Sequence, residues 1–131
     1  MLRLMKERES VSVVNDQRGS PTWTCDLAEA IVTLFCATDA KTIPYGIYHF
    51  TNEGEITWYD FAREIYTQSR ALGILTKDCE IKSCTSADFP AKVQRPAYSV
   101  LDKTKIKEFL GLVIPNWKAR LKKYLTTAEQ V

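Results

Sequence analysis

Glycine is scarce and scattered in this sequence. The five glycines are Gly19, Gly46, Gly54, Gly73 and Gly111. No two are close enough for G-x-G-x-x-G or a P-loop, so neither phosphate cradle can be built. None of the six tyrosines has a lysine four positions later, which removes the Tyr-x-x-x-Lys arrangement of a proton donor beside a cation. There is no G-x-S-x-G elbow. His49 is the one histidine, and no nucleophile stands beside it in sequence. The four cysteines (Cys25, Cys36, Cys79 and Cys84) form no C-x-x-C pair, so a clustered zinc site is not expected. No run reaches the ~18 apolar residues of a membrane span. The charged opening, Met1 to Glu9, does not resemble a signal peptide. These absences predict a cytoplasmic protein with reduced thiols, away from membranes. Cys25 and Cys36, in or beside an apolar helix, are expected to act as small buried hydrophobes.

What is present is ordinary for one soluble domain. The 131 residues are 45% apolar and 26% charged, enough to bury a core of their own. Lys plus Arg is 18 against 16 Asp plus Glu, a net charge of +2. That balance excludes a disordered polyelectrolyte and gives no basic excess for nucleic acid.

Periodicity predicts helices alternating with short strands. Residues 1–8 read as the tail of a helix with Leu2, Leu4 and Met5 on one face and no N-cap, as though the native chain began upstream. Val11–Val14 is a β-branched strand. Thr22 or Thr24 is placed to cap a helix whose Leu27, Ala30, Ile31, Leu34 and Phe35 recur at helical spacing and define a buried face. Residues 41–46 read as a loop and Ile47–Phe50 as a second strand. Thr57 and Asp60 form a shortened capping box for a helix with Trp58, Phe61, Ala62, Ile65 and Tyr66 as its stripe, stopped by Gly73. Cys79–Cys84 is a third strand and 85–99 a long loop. Asp102 caps a short helix over 103–110, stopped by Gly111. Pro115 opens a last helix with Trp117, Leu121, Tyr124 and Leu125 on one side. The layout is α/β, a small domain of few, short, mostly parallel strands with flanking helices, spanning 1–131 as one unit.

Two loops carry chemistry suited to an anion. Asn15–Thr22 runs from a strand end into a helix N-terminus, where free N–H groups and the helix dipole favour negative charge. In Lys92–Ser99, Arg95 offers planar donors suited to a diphosphate, and Pro96 stiffens the chain after it. Glu53 and Glu55 are expected as solvated turn residues rather than an acid/base pair. The basic stretch from Lys103 to Lys123 is expected as a solvated helix face.

These segments also carry a resemblance. Val13-Val14-Asn15-Asp16-Gln17-Arg18-Gly19-Ser20-Pro21-Thr22 through Asp26-Leu27-Ala28 resembles the D-Q-x-G-x-P-T…D-L-A signature of the dTDP-4-dehydrorhamnose reductases. Gly46 to Asn52 and Trp58 to Ala62 are similar to that family's next block. Arg95-Pro96-Ala97-Tyr98-Ser99-Val100-Leu101-Asp102 resembles its R-P-x-x-S-x-L-D block. Pro115-Asn116-Trp117 through Leu125 is similar to its last helix. The four blocks stand in the family's order along nearly the whole chain.

The resemblance implies an extended short-chain dehydrogenase/reductase that reduces dTDP-4-dehydro-L-rhamnose to dTDP-L-rhamnose with NADPH, for cell-surface polysaccharide. Only the C-terminal, substrate-binding portion is represented. The glycine fingerprint and the Tyr-x-x-x-Lys lie in a Rossmann half upstream, which implies that this chain alone is inactive and contributes no catalytic, cofactor-binding or metal-binding residue. The implied substrate-binding residues are Arg95, which reaches the diphosphate, with Gln17, Arg18 and Ser20 lining the pocket. The resemblance pairs the first and third strands in a small sheet and assigns Ile47–Phe50 to the large Rossmann sheet. The implied partners are the dTDP-sugar and the Rossmann half, with no nucleic acid or membrane. An unpaired edge at Ile47–Phe50 adds an expectation of self-association, as a homodimer, or of rearranged packing. A non-catalytic nucleotide-sugar-binding or regulatory subunit on the same scaffold is the alternative.

Overall fold

In a β-strand alternate side chains face opposite ways, and Val11 and Val13 obey this. Both are buried while Ser12 between them is exposed. A computed structural model describes residues 1–36, 45–88 and 93–128. In it β1 (Ser10–Val14) pairs in parallel with β4 (Glu80–Cys84), with Val11 opposite Ile81 and Val13 opposite Ser83. The expected pairing of the first and third predicted strands is therefore observed. Parallel strands need a long crossover, and here it holds two helices, α2 (Thr24–Cys36) and α3 (Trp58–Ala71). A second ladder, antiparallel and only two residues long, joins β2 (Arg18–Gly19) to β3 (Ile56–Thr57). Nothing in the local pattern announces it, since its strands are too short to alternate.

Three helices build the core on the parallel pair, the first two against its strands and the third against the second. They are α1 (Leu2–Glu7), α3 and α5 (Trp117–Ala128), and α4 (Thr104–Leu110) precedes α5 in the chain. Met5, Val11, Val13, Ala62, Ile65, Leu75, Cys79, Trp117, Leu121 and Leu125 form one buried cluster. The expected stripe of α3 faces it with Ala62 and Ile65, and α5 contributes Trp117, Leu121 and Leu125, while Tyr124 stays half-exposed. Phe61 meets Trp117 edge-on, with centroids 5.6 Å apart, a geometry that suits the ring quadrupoles.

The helix ends follow local chemistry. The Asp60 N–H donates to Thr57 Oγ1 at 3.1 Å, and the Thr57 hydroxyl donates back to Asp60 Oδ2 at 2.9 Å. At the other end Gly73 takes φ +77°, its N–H reaches the Arg70 carbonyl, and the Ile74 N–H reaches the Ser69 carbonyl. This is the Schellman arrangement, whose left-handed residue after the helix is most easily glycine. Gly111 ends α4 in the left-handed region, as expected. Asp102 accepts the Thr104 N–H at 2.9 Å. The last helix starts later than Pro115, because Asn116 Oδ1 accepts the Lys118 N–H and acts as the cap.

Three expectations need correction. Helix α2 buries only Asp26 and Ala30, whereas Leu27, Ile31 and Phe35 are 38%, 45% and 69% exposed. Helical spacing marks a face that would gain from cover, but it cannot supply the covering element, and no described element packs over this one. Cys25 and Cys36 are accordingly exposed, and Cys79 is the buried thiol. Residues 47–50 form no strand, for a strand exists only with a ladder partner and no described strand lies beside them. Instead the Lys105 Nζ donates to the Ile47 carbonyl at 3.3 Å and lies 4.2 Å from the centre of the Tyr48 ring. The expected loop at 41–46 falls largely outside the described residues, as do Pro90 and Lys92 in the expected loop at 85–99. The rest of that loop includes a short 3-10 turn, Ser86–Asp88.

Candidate functional site

The two loops singled out in sequence meet in space. The Arg18 N–H donates to the Ala97 carbonyl at 2.8 Å, and the Arg18 carbonyl accepts from the Ser99 N–H at 2.9 Å and from Ser99 Oγ at 3.0 Å. Arg18 also pairs with Thr57 across the β2–β3 ladder. Its backbone is thus the middle rung between β3 and the Arg95–Ser99 segment. Gly19 permits this approach, because a Cβ there would lie 3.1 Å from Ser99 Oγ.

Side chains complete the seam. Arg18 Nε donates to Glu55 Oε1 at 2.5 Å, and the Tyr98 hydroxyl donates to Glu55 Oε2 at 3.0 Å. The bond from Arg18, helped by that from Tyr98, holds the Glu55 carboxyl below its ordinary range. The same bond to Glu55 pushes the Tyr98 phenol up. Arg95 is exposed and makes no bond among the described residues. Ser20 Oγ is enclosed without a hydrogen-bond partner among them. Gln17 is buried, and its Nε2 donates to Ser86 Oγ at 2.8 Å. Asp16 accepts from both the N–H and the hydroxyl of Ser86, each at 2.8 Å, and those bonds lower its pKa. Gln17 therefore ties its loop to the turn after β4, whereas Arg18 alone of the expected residues touches the Arg95–Ser99 segment.

Beneath the seam lies a buried polar cluster that sequence reading missed. Asn52 is fully buried. Its Oδ1 accepts the Trp23 N–H at 2.7 Å, and its Nδ2 donates to Asp26 Oδ2 at 2.6 Å and to the Pro115 carbonyl at 3.2 Å. Arg120 Nε lies 3.0 Å from both oxygens of Asp26, which is itself buried. Glu53 sits between Lys103, at 3.1 Å, and Lys107. The Lys107 bond first, then that from Lys103, keeps the Glu53 carboxyl low. Two expectations change here. Glu53 and Glu55 are both ion-paired, Glu55 while still exposed to solvent and Glu53 while partly buried, and both are held ionised, so neither is poised to move a proton. Lys103 is buried and Arg120 partly so, which removes them from any solvated face.

The N-terminus of α2 is not the open anion site its position suggested. The amide entering it, at Trp23, is already taken by Asn52, and Asp26 brings a buried carboxylate into the first turn. With no glycine-rich turn between a strand and a helix, these residues do not fit a nicotinamide dinucleotide. No group of three or more potential metal ligands occurs among the described residues. No described helix is long and apolar enough to cross a membrane. A cavity of about 440 Å³ opens beside the cluster, lined by Trp23, Phe61, Ile65, Trp117 and Tyr124 among others. Arg120 and Lys123 lie over the Trp23 ring at 5.7 and 5.1 Å from its centre.

Comparison with known proteins identifies the family of the chain. The model of the RmlD substrate binding domain matches residues 1–130. The chain is 39% identical over 130 residues to a dTDP-4-dehydrorhamnose reductase of Aggregatibacter actinomycetemcomitans, covering 98% of this chain and 44% of that protein. It is 42% identical over 125 residues to the spore coat polysaccharide biosynthesis protein SpsK of Bacillus subtilis, covering 95% and 40%. Among solved structures it superposes on a dTDP-4-dehydrorhamnose reductase of Bacillus anthracis in complex with NADP, with a TM-score of 0.83 and 31% identity, over 96% of this chain and 41% of that one. The chain thus spans less than half the length of these relatives.

Proposed function

The chain belongs to the RmlD substrate binding domain family, and on that premise we propose that it holds the dTDP-sugar for a dTDP-4-dehydrorhamnose reductase. The NADPH site and the proton donor then reside in a Rossmann half that these residues do not provide. The observation that carries this reading is the seam at Arg18. It joins the D-Q-x-G and R-P-x-x-S segments through three hydrogen bonds, and each segment carries an exposed arginine, Arg18 in one and Arg95 in the other. Planar guanidinium groups match the paired oxygens of a diphosphate, and among the described residues Arg95 has no partner to compete with it. This chain contributes binding, orientation and charge neutralisation, which is the protein's share in cofactor-driven reduction.

Calorimetric titration with dTDP-L-rhamnose tests the reading. Saturable binding is expected, weakened about tenfold or more in Arg95→Ala, the loss of one charge-assisted contact. A folded chain that binds no dTDP-sugar, or binds equally well without Arg95, contradicts it.

A further inference from the structure

Arg18 and Tyr98 occupy positions that the two motifs leave open, the x of D-Q-x-G and the second x of R-P-x-x-S. Glu55 lies between blocks. Yet the fold assembles these three, 37 and 43 residues apart, into one chain of hydrogen bonds. Each Glu55 oxygen has one donor, Arg18 Nε on one and the Tyr98 hydroxyl on the other. The terminal nitrogens of Arg18 make no hydrogen bond to a described residue, and its side chain is 48% exposed. The backbone of Arg18 is held on both sides, by Thr57 and by Ala97 and Ser99. A long side chain ordinarily loses rotamer freedom when it captures an anion. Here the bond to Glu55 already restricts that freedom, while about half of the side chain stays exposed.

We propose that Glu55 and Tyr98 are positioning residues that present Arg18 as a second cation, beside Arg95, for the diphosphate of the nucleotide sugar. The inference rests on the reading that this chain holds a dTDP-sugar. Tyr98 orients Glu55, Glu55 orients Arg18, and Arg18 offers two parallel N–H donors to phosphate oxygens. Preorganisation of this kind raises affinity by lowering the ordering cost of binding. Glu55 remains ionised near neutral pH, so its hold on Arg18 persists where the ligand is doubly charged.

The test is NMR titration of the whole chain with two probes, inorganic pyrophosphate and dTDP. In the free protein the Arg18 Nε–H resonance should report the bond to Glu55 and should shift in Tyr98→Phe. Pyrophosphate should move the remaining guanidinium signals of Arg18. Its affinity should fall about tenfold in Arg18→Ala without rescue in Arg18→Lys, and about three- to fivefold in Glu55→Ala. Tyr98→Phe should weaken binding less, and should add nothing in the Glu55→Ala background. The proposal is overturned if pyrophosphate does not bind, if Arg18→Ala leaves its affinity unchanged, or if Tyr98→Phe and Glu55→Ala act additively. It is also overturned if Glu55→Ala binds more tightly, for then Glu55 competes with the ligand. dTDP separates this proposal from the reading beneath it. Binding that depends on Arg95 but not on Arg18 sinks the positioning role and leaves the nucleotide-sugar reading standing. The full pyrophosphate pattern with dTDP no tighter than pyrophosphate keeps the arginine pair and removes that reading.

Discussion

Replacing Asn52 by alanine should be among the most damaging single changes in this chain. The side chain is fully buried and joins three separate stretches: the entry to α2 at Trp23, Asp26 within it, and Pro115 before α5. Truncation removes two hydrogen bonds to neutral groups, worth about 1 kcal/mol each, and one to a carboxylate, worth about 2. It also leaves the Trp23 amide and part of the Asp26 carboxylate short of protein partners. The expected loss is about 4 kcal/mol, against about 5–15 for a whole domain. Unfolding entropy near the midpoint is about 2.1 cal/mol/K per residue, or about 0.28 kcal/mol/K for this chain of 131 residues. The thermal midpoint should therefore fall by about 14 °C, readable by calorimetry or circular dichroism. Asn52→Asp sharpens the test, because it sets a second carboxylate where an N–H now donates to Asp26 at 2.6 Å. Two such carboxyls cannot both ionise, so one has its folded pKa raised above the unfolded value. Such a group stabilises below its unfolded pKa and loses that contribution as pH rises through the folded one. This variant should therefore regain stability on mild acidification, where wild type does not. A loss below about 1 kcal/mol in Asn52→Ala, the scale of one ordinary hydrogen bond, would refute the view that Asn52 clamps the helix entries together.

The remaining predictions concern turns and charge. Gly54 has φ +105° and a Cβ there would meet Trp117 Cδ1 at 2.5 Å, whereas Gly73, at φ +77°, has nothing within 4 Å. Gly54→Ala should thus lower stability by about 3 kcal/mol and Gly73→Ala by only about 1, measured by urea denaturation. The carboxyls of Asp16, Glu53 and Asp102 are all held below their ordinary values of 3.8, 4.5 and 3.8. A lowered folded pKa gives stability that is complete above the unfolded value and lost as pH falls through the folded one. The urea midpoint should therefore be level from neutrality down to about pH 5 and fall steeply below about pH 4, with Glu53→Gln flattening part of that fall.

Local signals were readable where the chemistry is local. The capping pair Thr57–Asp60, the stop at Gly73 and the alternation of Val11 and Val13 depend on residues within a few positions of one another. The candidate residues were readable in part. Arg18 does meet the Arg95–Ser99 segment, but Gln17 turns inward to Ser86, a partner 69 residues away that no spacing could announce. From sequence Glu55 reads only as a turn residue, and Tyr98, Asn52 and Arg120 are given no role, because each is unremarkable beside its sequence neighbours. Only juxtaposition gives them a role. Helix α2 shows the converse error: its periodicity is genuine, but no described element covers the face it defines.

From the sequence by itself came the alternation of helices with short strands, most of the helix ends, and the family through its four motif blocks; the pairing of β1 with β4 was implied by the resemblance to that family. Each rests on short-range chemistry or on a linear pattern. Only the tertiary structure decided which charges are paired and which stay open. It ties Asp26 to Arg120, Glu53 to Lys103 and Lys107, and Glu55 to Arg18 and Tyr98, and it leaves Arg95 facing solvent. Electrostatic and hydrogen-bonding partners are chosen by distance in space, and a linear sequence does not contain that distance until the chain has folded.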